Sequence, residues 1–349
     1  MVRSGEAWSV EVTLRRTAAL ASLLALAGCG GRQSPLAPAG EQAASIASLF
    51  WLMIAVCGFM YLLVLGFLAL GLWRSRARAR NAGEAEPTIN PADRTLNRTL
   101  LLWAGLVVTG LTVLIVGSFL ADRTIAQARA REALAVRVTG HQWWWRVEYR
   151  DSTTGTWVET ANELHLPVGR TTRVTLGSAD VVHSFWVPNV AQKLDVIPGL
   201  RNVVDLTPTR TGWFRGQCAE FCGVQHAHMA FDVKVETQAE FDRWLAGQMR
   251  GAATPADDVA ARGLQVISTG SCAMCHTIRG TQLTGRPGPD LTHIASRRSI
   301  AAGTVPMSRG NLQGWIVQPQ ALKPGTMMPP TALSPADADA VSRYLAGLK

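Results

Sequence analysis

Two groups of metal-binding side chains stand out along the chain. The first is Cys218-Ala219-Glu220-Phe221-Cys222-Gly223-Val224-Gln225-His226-Ala227-His228-Met229, with thiols four residues apart, a His four later and a Met three beyond. Thiolate, imidazole and thioether together favour copper. Structural zinc prefers four Cys or His ligands and takes Met poorly. A Cys218–Cys222 disulfide is the plain alternative in an oxidising compartment. A single copper needs only one of the two thiolates, so the surplus suggests two coppers bridged by both sulfurs. Such a site needs a second His. His183, in Asp180-Val181-Val182-His183-Ser184-Phe185-Trp186-Val187-Pro188, is the first choice, and His141, His165 and His228 stay open.

The second group is Cys272-Ala273-Met274-Cys275-His276. Cys-x-x-Cys-His is the attachment signature of c-type haem, in which two thiols bond the porphyrin and the His ligates iron. A redox dithiol is the plain alternative. Met307, Met327 and Met328 are the candidates for a sixth iron ligand. Met/His ligation fills both axial positions and raises the potential, which suits electron transfer.

The rest of the chain must position these groups. Its 349 residues are 48% apolar and 17% charged, too apolar for a disordered protein. The net charge is +9, from 34 Lys+Arg against 25 Asp+Glu. These bases do not gather on one folded face, as nucleic-acid binding would require. They flank apolar runs, which is a membrane topology signal. Six cysteines are too few for a disulfide scaffold of this length.

Arg15-Arg16, a short apolar run and Leu26-Ala27-Gly28-Cys29 form an export signal over 1–28. The Cys directly after Leu-Ala-Gly is the bacterial lipoprotein variant, with Cys29 as the lipid anchor. Residues 29–122 are expected to form a two-helix hairpin, with spans over 46–73 and 99–121. The first span reaches roughly 40 Å, enough to cross a ~30 Å hydrocarbon core. The loop 74–98 carries Arg74, Arg76, Arg78, Arg80, Arg94 and Arg98, which makes it cytoplasmic. Both ends of the hairpin then face outward.

From 131 to 249 short Val-, Thr- and aromatic-rich runs alternate with turns such as Pro167-Val168-Gly169 and Ile197-Pro198-Gly199. That spacing predicts an all-β sandwich or Greek-key barrel, closed by a helix over 238–249. Residues 250–256 form a small-residue linker. A helical domain follows over 257–349, its first helix capped by Thr254 with Pro255 at the first position. A last helix follows the cap Ser334-Pro335-Ala336-Asp337.

The hairpin, Gly140-His141-Gln142-Trp143-Trp144-Trp145, Val182-His183-Ser184-Phe185-Trp186-Val187-Pro188, Lys193-Leu194-Asp195-Val196-Ile197-Pro198-Gly199 and the Cys-x-Glu-x-Cys-Gly-x-x-His-x-x-Met loop resemble subunit II of haem–copper cytochrome c oxidases. The resemblance covers roughly 46–249. It implies a cupredoxin-like barrel holding the binuclear CuA centre. Cys218 and Cys222 would bridge, His183 and His226 would cap, Met229 would be the thioether ligand and the Glu220 carbonyl the sixth. The Glu220 side chain would reach a magnesium shared with subunit I. Trp143 matches the exposed tryptophan through which electrons come in. The family's second span usually opens with a Glu that feeds a proton channel, and here that position is Leu100.

Residues 257–349 resemble class I cytochrome c. Lys323-Pro324-Gly325-Thr326-Met327-Met328-Pro329 is similar to its Met loop, which makes Met328 the axial ligand. Gly288-Pro289-Asp290-Leu291 resembles the turn whose proline carbonyl, here that of Pro289, accepts from the haem His. A cytochrome c behind a CuA domain resembles the caa3-type oxidases. The implied role is the electron-accepting subunit of a proton-pumping oxidase of aerobic respiration, in the bacterial cell membrane with both redox domains on the periplasmic face. It would pass electrons from haem c through CuA to subunit I. Its partners would be subunits I and III and an upstream donor, a soluble cytochrome c or a bc1-type complex. A copper delivery protein, a quinol oxidase subunit and another CuA-containing reductase are the rivals. The first does not explain the haem, and the second branch lacks the copper ligands.

Overall fold

The structure, a computed structural model, describes residues 30–81, 94–127, 132–151 and 153–349. The signal over 1–28, the anchor Cys29 and residues 82–93 of the Arg-rich loop lie outside the described residues. The chain divides into two units: 44–130, and 1–43 together with 131–349.

The first unit is a helical hairpin. Helix α1 spans Glu41–Asn81 and α2 spans Arg94–Gln127, both longer than the apolar runs that announced them. Arg and Ala are good helix formers, so the helices continue past the apolar stretch. Both are long and apolar enough to cross a membrane. The helices run antiparallel. Phe67 meets Trp103 edge-on at 6.0 Å between ring centroids, and Gly110 and Gly117 leave room for Val56 and Leu52. Small residues at a helix contact allow such close approach. Leu100 is exposed on α2.

The β domain has two five-stranded sheets. One has the order β3 (Trp157–Ala161), β2 (Trp144–Arg150), β1 (Leu134–His141), β5 (Thr172–Ser178), β8 (Asn202–Leu206). The other has β4 (Glu163–Pro167), β10 (Ala230–Glu236), β9 (Gly212–Cys218), β6 (His183–Trp186), β7 (Leu194–Val196). Alternation in β1 and β2 sends Val136, Val138, Trp145, Val147 and Tyr149 into the core between the sheets. Trp145, Phe185 and Phe231 pack together there, with Phe185 and Phe231 stacked at 5.0 Å. A Cβ on Gly216 would strike the Phe231 ring, so this strand position must be glycine. Helix α3 (Gln238–Gln248) starts from a capping box between Thr237 and Glu240.

Strands β3, β6, β7 and β9 were not expected. β6 and β7 have four and three residues, too short for a period to show. β9 opens with Gly-Trp and holds an interior Gly, which weakens its strand signal.

The C-terminal domain is built on a crossing of α4 (Asp258–Thr269) and α7 (Pro335–Ala346), with the short helices α5 (Arg309–Val317) and α6 (Pro319–Leu322) between them in the chain. A Cβ on Gly263 would run into the Ala340 carbonyl. The cap of α4 is Asp257, not Thr254: its carboxylate accepts from Ala260 N at 2.9 Å and pairs with Arg343 of α7 at 2.6 Å. That second bond comes from the far end of the domain, so local sequence favoured the wrong start.

The β and helical domains share one unit and touch extensively. Ala230 N donates to the Ala302 carbonyl at 3.1 Å, Ser299 Oγ to Asp232 at 2.5 Å, and Arg215 to the Gly303 carbonyl at 3.2 Å. The linker is pinned as well, Ala252 N donating to the Arg279 carbonyl at 2.8 Å.

Candidate metal centre and the neighbouring cavity

The soft ligands meet at one end of the second sheet. Cys218 is the last residue of β9 and His183 the first of β6, and Phe185 pairs with Cys218 across the ladder. The connection after β9 closes back through a short turn, His226–His228, and delivers Met229 just before β10. Cys218 Sγ lies 3.8 Å from Cys222 Sγ, 3.9 Å from His183 Nδ1 and 3.2 Å from the Glu220 carbonyl. Cys222 Sγ lies 3.6 Å from His226 Nδ1 and 3.8 Å from Met229 Sδ. A disulfide needs about 2.05 Å, so the two sulfurs are not joined. All six expected donors thus surround one buried point. Their spacing suits ions seated between them, and the set of two thiols, two imidazoles, a thioether and a carbonyl fits a copper pair.

The other histidines are engaged elsewhere. His141 stacks on Trp144. His165 stacks on Trp244 and contacts Glu163 and Glu236. His228 Nδ1 meets Gln225 Oε1 at 2.9 Å.

Asp180 is a site residue that sequence reasoning passed over. Its carboxylate takes His183 Nε2 at 2.8 Å and the backbone N–H of Gln142 at 2.7 Å. That bond turns Nδ1 toward the sulfurs, as carboxylates do behind metal-binding imidazoles. The signal was present as an Asp three residues before the His. The hydrogen bond shared between the thiols pulls the Cys218 pKa down, against burial, and pushes that of Cys222 up.

A cavity of about 290 Å³ opens beside this centre. Cys272, Cys275, His276 and Met328 line it from the C-terminal domain, and Trp143 lines it from the β domain. The turn Ser271–Met274 after α4 presents the two thiols. His276 Nδ1 lies 2.8 Å from the Pro289 carbonyl, which leaves Nε2 for a ligand. A Cβ on Gly288 would stand 2.7 Å from the His276 ring, so the supporting backbone can approach only as glycine. Met327 and Met328 both border the cavity, but Met327 is 85% exposed and Met328 is half-buried, while Met307 packs against the apolar core. Arg297 also lines the cavity, and its buried Nε has no hydrogen-bond partner among the described residues. An apolar cavity with two thiols, a fixed imidazole, a thioether and a guanidinium whose Nε has no partner, though its Nη2 donates to the Asp290 carbonyl, fits a haem with acidic side groups.

Trp143 departs from expectation. It was expected to be exposed, yet it is only 8% exposed. Gly325 of the Met loop covers it, with the position of a Cβ there 3.7 Å from Trp143 Cη2. The Trp143 indole N–H donates to the Cys222 carbonyl at 2.9 Å, and Gln142 Nε2 to the same oxygen at 2.8 Å. The chain's own C-terminal domain thus lies against this indole.

Residues 154–236 match the family model described as cytochrome c oxidase subunit II, periplasmic domain, and 260–349 match cytochrome c. Cytochrome c oxidase subunit 2 of Alkalihalophilus pseudofirmus is 33% identical over 93% of this chain and 94% of its own. That of Bacillus subtilis is 29% identical over 93% and 95%. Among solved structures, the periplasmic domain of subunit II of cytochrome oxidase from Bradyrhizobium japonicum is 32% identical, covers 33% of this chain and 94% of that one, and has a TM-score of 0.31.

Proposed function

The chain belongs to the cytochrome c oxidase subunit II family, in the form that carries a C-terminal cytochrome c domain, and from that premise we propose which of its residues carry the electron path. It is a membrane protein with periplasmic domains and a partner of subunit I. His183, Cys218, Cys222, His226, Met229 and the Glu220 carbonyl hold the copper pair. Cys272 and Cys275 would bond haem c, and His276 and Met328 would ligate its iron. When bound, the two groups supply one-electron carriers, and oxygen is reduced in subunit I.

The chain's own residues do three things for that chemistry. They supply a full set of protein donors, which would suit the copper pair to passing electrons. They hold the ligands rigidly, because Asp180 fixes His183 and the Pro289 carbonyl fixes His276; a rigid shell rearranges little when charge changes. Trp143 spans the gap, its indole lining the haem cavity and its N–H bonded to the backbone of Cys222. That bridge is the single observation that carries the reading. Arg297 receives an acidic side group of the haem.

The Glu220 carboxylate is open to solvent and only loosely paired with Lys193 at 3.9 Å, which leaves it free for a magnesium shared with subunit I. Cys29 anchors the chain by a lipid, and α1 and α2 cross the membrane. An upstream cytochrome c or bc1-type complex supplies electrons to the haem domain, and subunit III completes the complex.

Elemental analysis and EPR of the purified oxidase test this reading. Two coppers in this subunit per covalent haem c, with one unpaired electron shared over both nuclei, is the expected result. Retention of that signal in Cys222→Ser would refute the ligand set. A single copper lost to a mild chelator would refute the electron path.

A further inference from the structure

Lys323 opens the Met loop, five residues before Met328, and is only 2% exposed. Its ammonium donates to the Trp143 carbonyl at 2.6 Å, the His228 carbonyl at 2.8 Å and the Ala301 carbonyl at 3.2 Å. Two of these acceptors belong to the copper domain and the third to the haem domain. An ammonium has three donors, and all three are used. It pairs with no carboxylate among the described residues. Burying a cation is costly unless it is fully hydrogen-bonded. A lysine serving only as a docking steer would sit at the exposed rim, where charge acts on encounter. This one sits at the centre of the contact.

Around it the Met loop lies against the copper domain. Gln225 Nε2 donates to the Pro324 carbonyl at 2.8 Å. Gly325, at φ +86, allows the backbone to pass over the Trp143 indole. One side chain thus ties the loop that supplies Met328 to the backbone of the residue whose indole bonds Cys222.

We propose that Lys323 is the positioning residue that fixes the haem domain over Trp143 and so sets the rate of electron transfer between the two centres. The step moves one electron: the haem iron is oxidised from ferrous to ferric, the copper pair is reduced by one electron, and no proton moves. The inference rests on the proposed reading of the two centres as electron carriers. It adds that the haem domain works from a locked position and does not swing on its linker.

The test uses purified oxidase with Lys323→Met, Lys323→Gln in case the first variant does not load its cofactors, and Trp143→Phe. Three quantities are read: the transfer rate after photochemical injection of one electron into haem c, its dependence on solvent viscosity, and hydrogen–deuterium exchange of the segments 322–326 and 224–228. The expected result for the Lys323 variants is transfer slowed by at least about tenfold, since small misplacements cost heavily in geometry-limited steps. The rate becomes viscosity-dependent and exchange in both segments rises, while both midpoint potentials and the copper EPR spectrum stay as in the parent. An unchanged rate in the Lys323 variants, with or without faster exchange, overturns the proposal. Trp143→Phe reports on the bridge separately: an unchanged rate there with slow transfer in Lys323→Met removes the indole path and leaves the lock standing.

Discussion

Gly140→Ala should disturb the copper centre without altering any ligand. Gly140 lies on β1, and a Cβ there would stand 2.8 Å from His183 Cδ2, 3.1 Å from His183 Cγ and 3.3 Å from Trp145 Cζ3. Ordinary contact begins near 3.4 Å, so the imidazole must yield 3.4 − 2.8 = 0.6 Å. It has little room to do so. His183 is fully buried, its Nε2 is held by Asp180 at 2.8 Å, and its ring packs against Trp145. Overpacking of this kind costs about 1–3 kcal/mol, and replacing a strand glycine returns about 0.5–1, which leaves a net loss of roughly 0–2.5 kcal/mol. The displacement also exceeds the ~0.5 Å within which a ligand set must be held. Gly177→Ala is the control: Gly177 lies on the neighbouring strand β5, opposite Thr139, with nothing within 4 Å of the new Cβ. The assay is copper retained by purified oxidase under a graded chelator, with the EPR hyperfine splitting recorded beside it. Gly140→Ala should release copper at lower chelator and alter the splitting, and Gly177→Ala should match the parent. Equal retention and identical splitting in both variants would refute the claim that the core holds His183 in place.

Three further outcomes are expected. Asp180→Asn keeps the shape of the carboxylate but loses its charge behind His183, and copper affinity measured by competitive titration should fall about 10–100-fold. Met328→Leu should lower the haem midpoint potential and change its visible spectrum, whereas Met327→Leu, at a side chain 85% exposed, should leave both unchanged. Burial lowers the His165 pKa, but Glu163 and Glu236 outweigh it and leave it raised. The folded chain therefore binds the proton more tightly than the unfolded one. Its contribution to stability is full below the unfolded pKa of about 6.5 and is lost as pH rises through the folded value. Thermal unfolding across neutral to alkaline pH should show that loss in the parent, and a matching slope in His165→Phe would count against it.

Much of this protein could be read from its sequence because the chemistry is local. Cys218, Cys222, His226 and Met229 lie within one loop, and Cys272, Cys275 and His276 within one turn, so spacing alone announces their ligand sets. The two helices follow from uninterrupted apolar runs, and strands β1, β2 and β5 from the alternation that buries one face. The tertiary structure decided what depends on residues far apart in the chain. His183 stands out from His141, His165 and His228 only because β6 pairs with β9 and brings it to Cys218. Asp257 caps α4 because Arg343 reaches it from the last helix. Trp143 is buried because Lys323, 180 residues away, draws the Met loop across it. A lysine in a polar loop reads from sequence as a solvated charge. Only folding surrounds it with three carbonyls from three segments, and it is that enclosure, not the residue type, that makes it a lock.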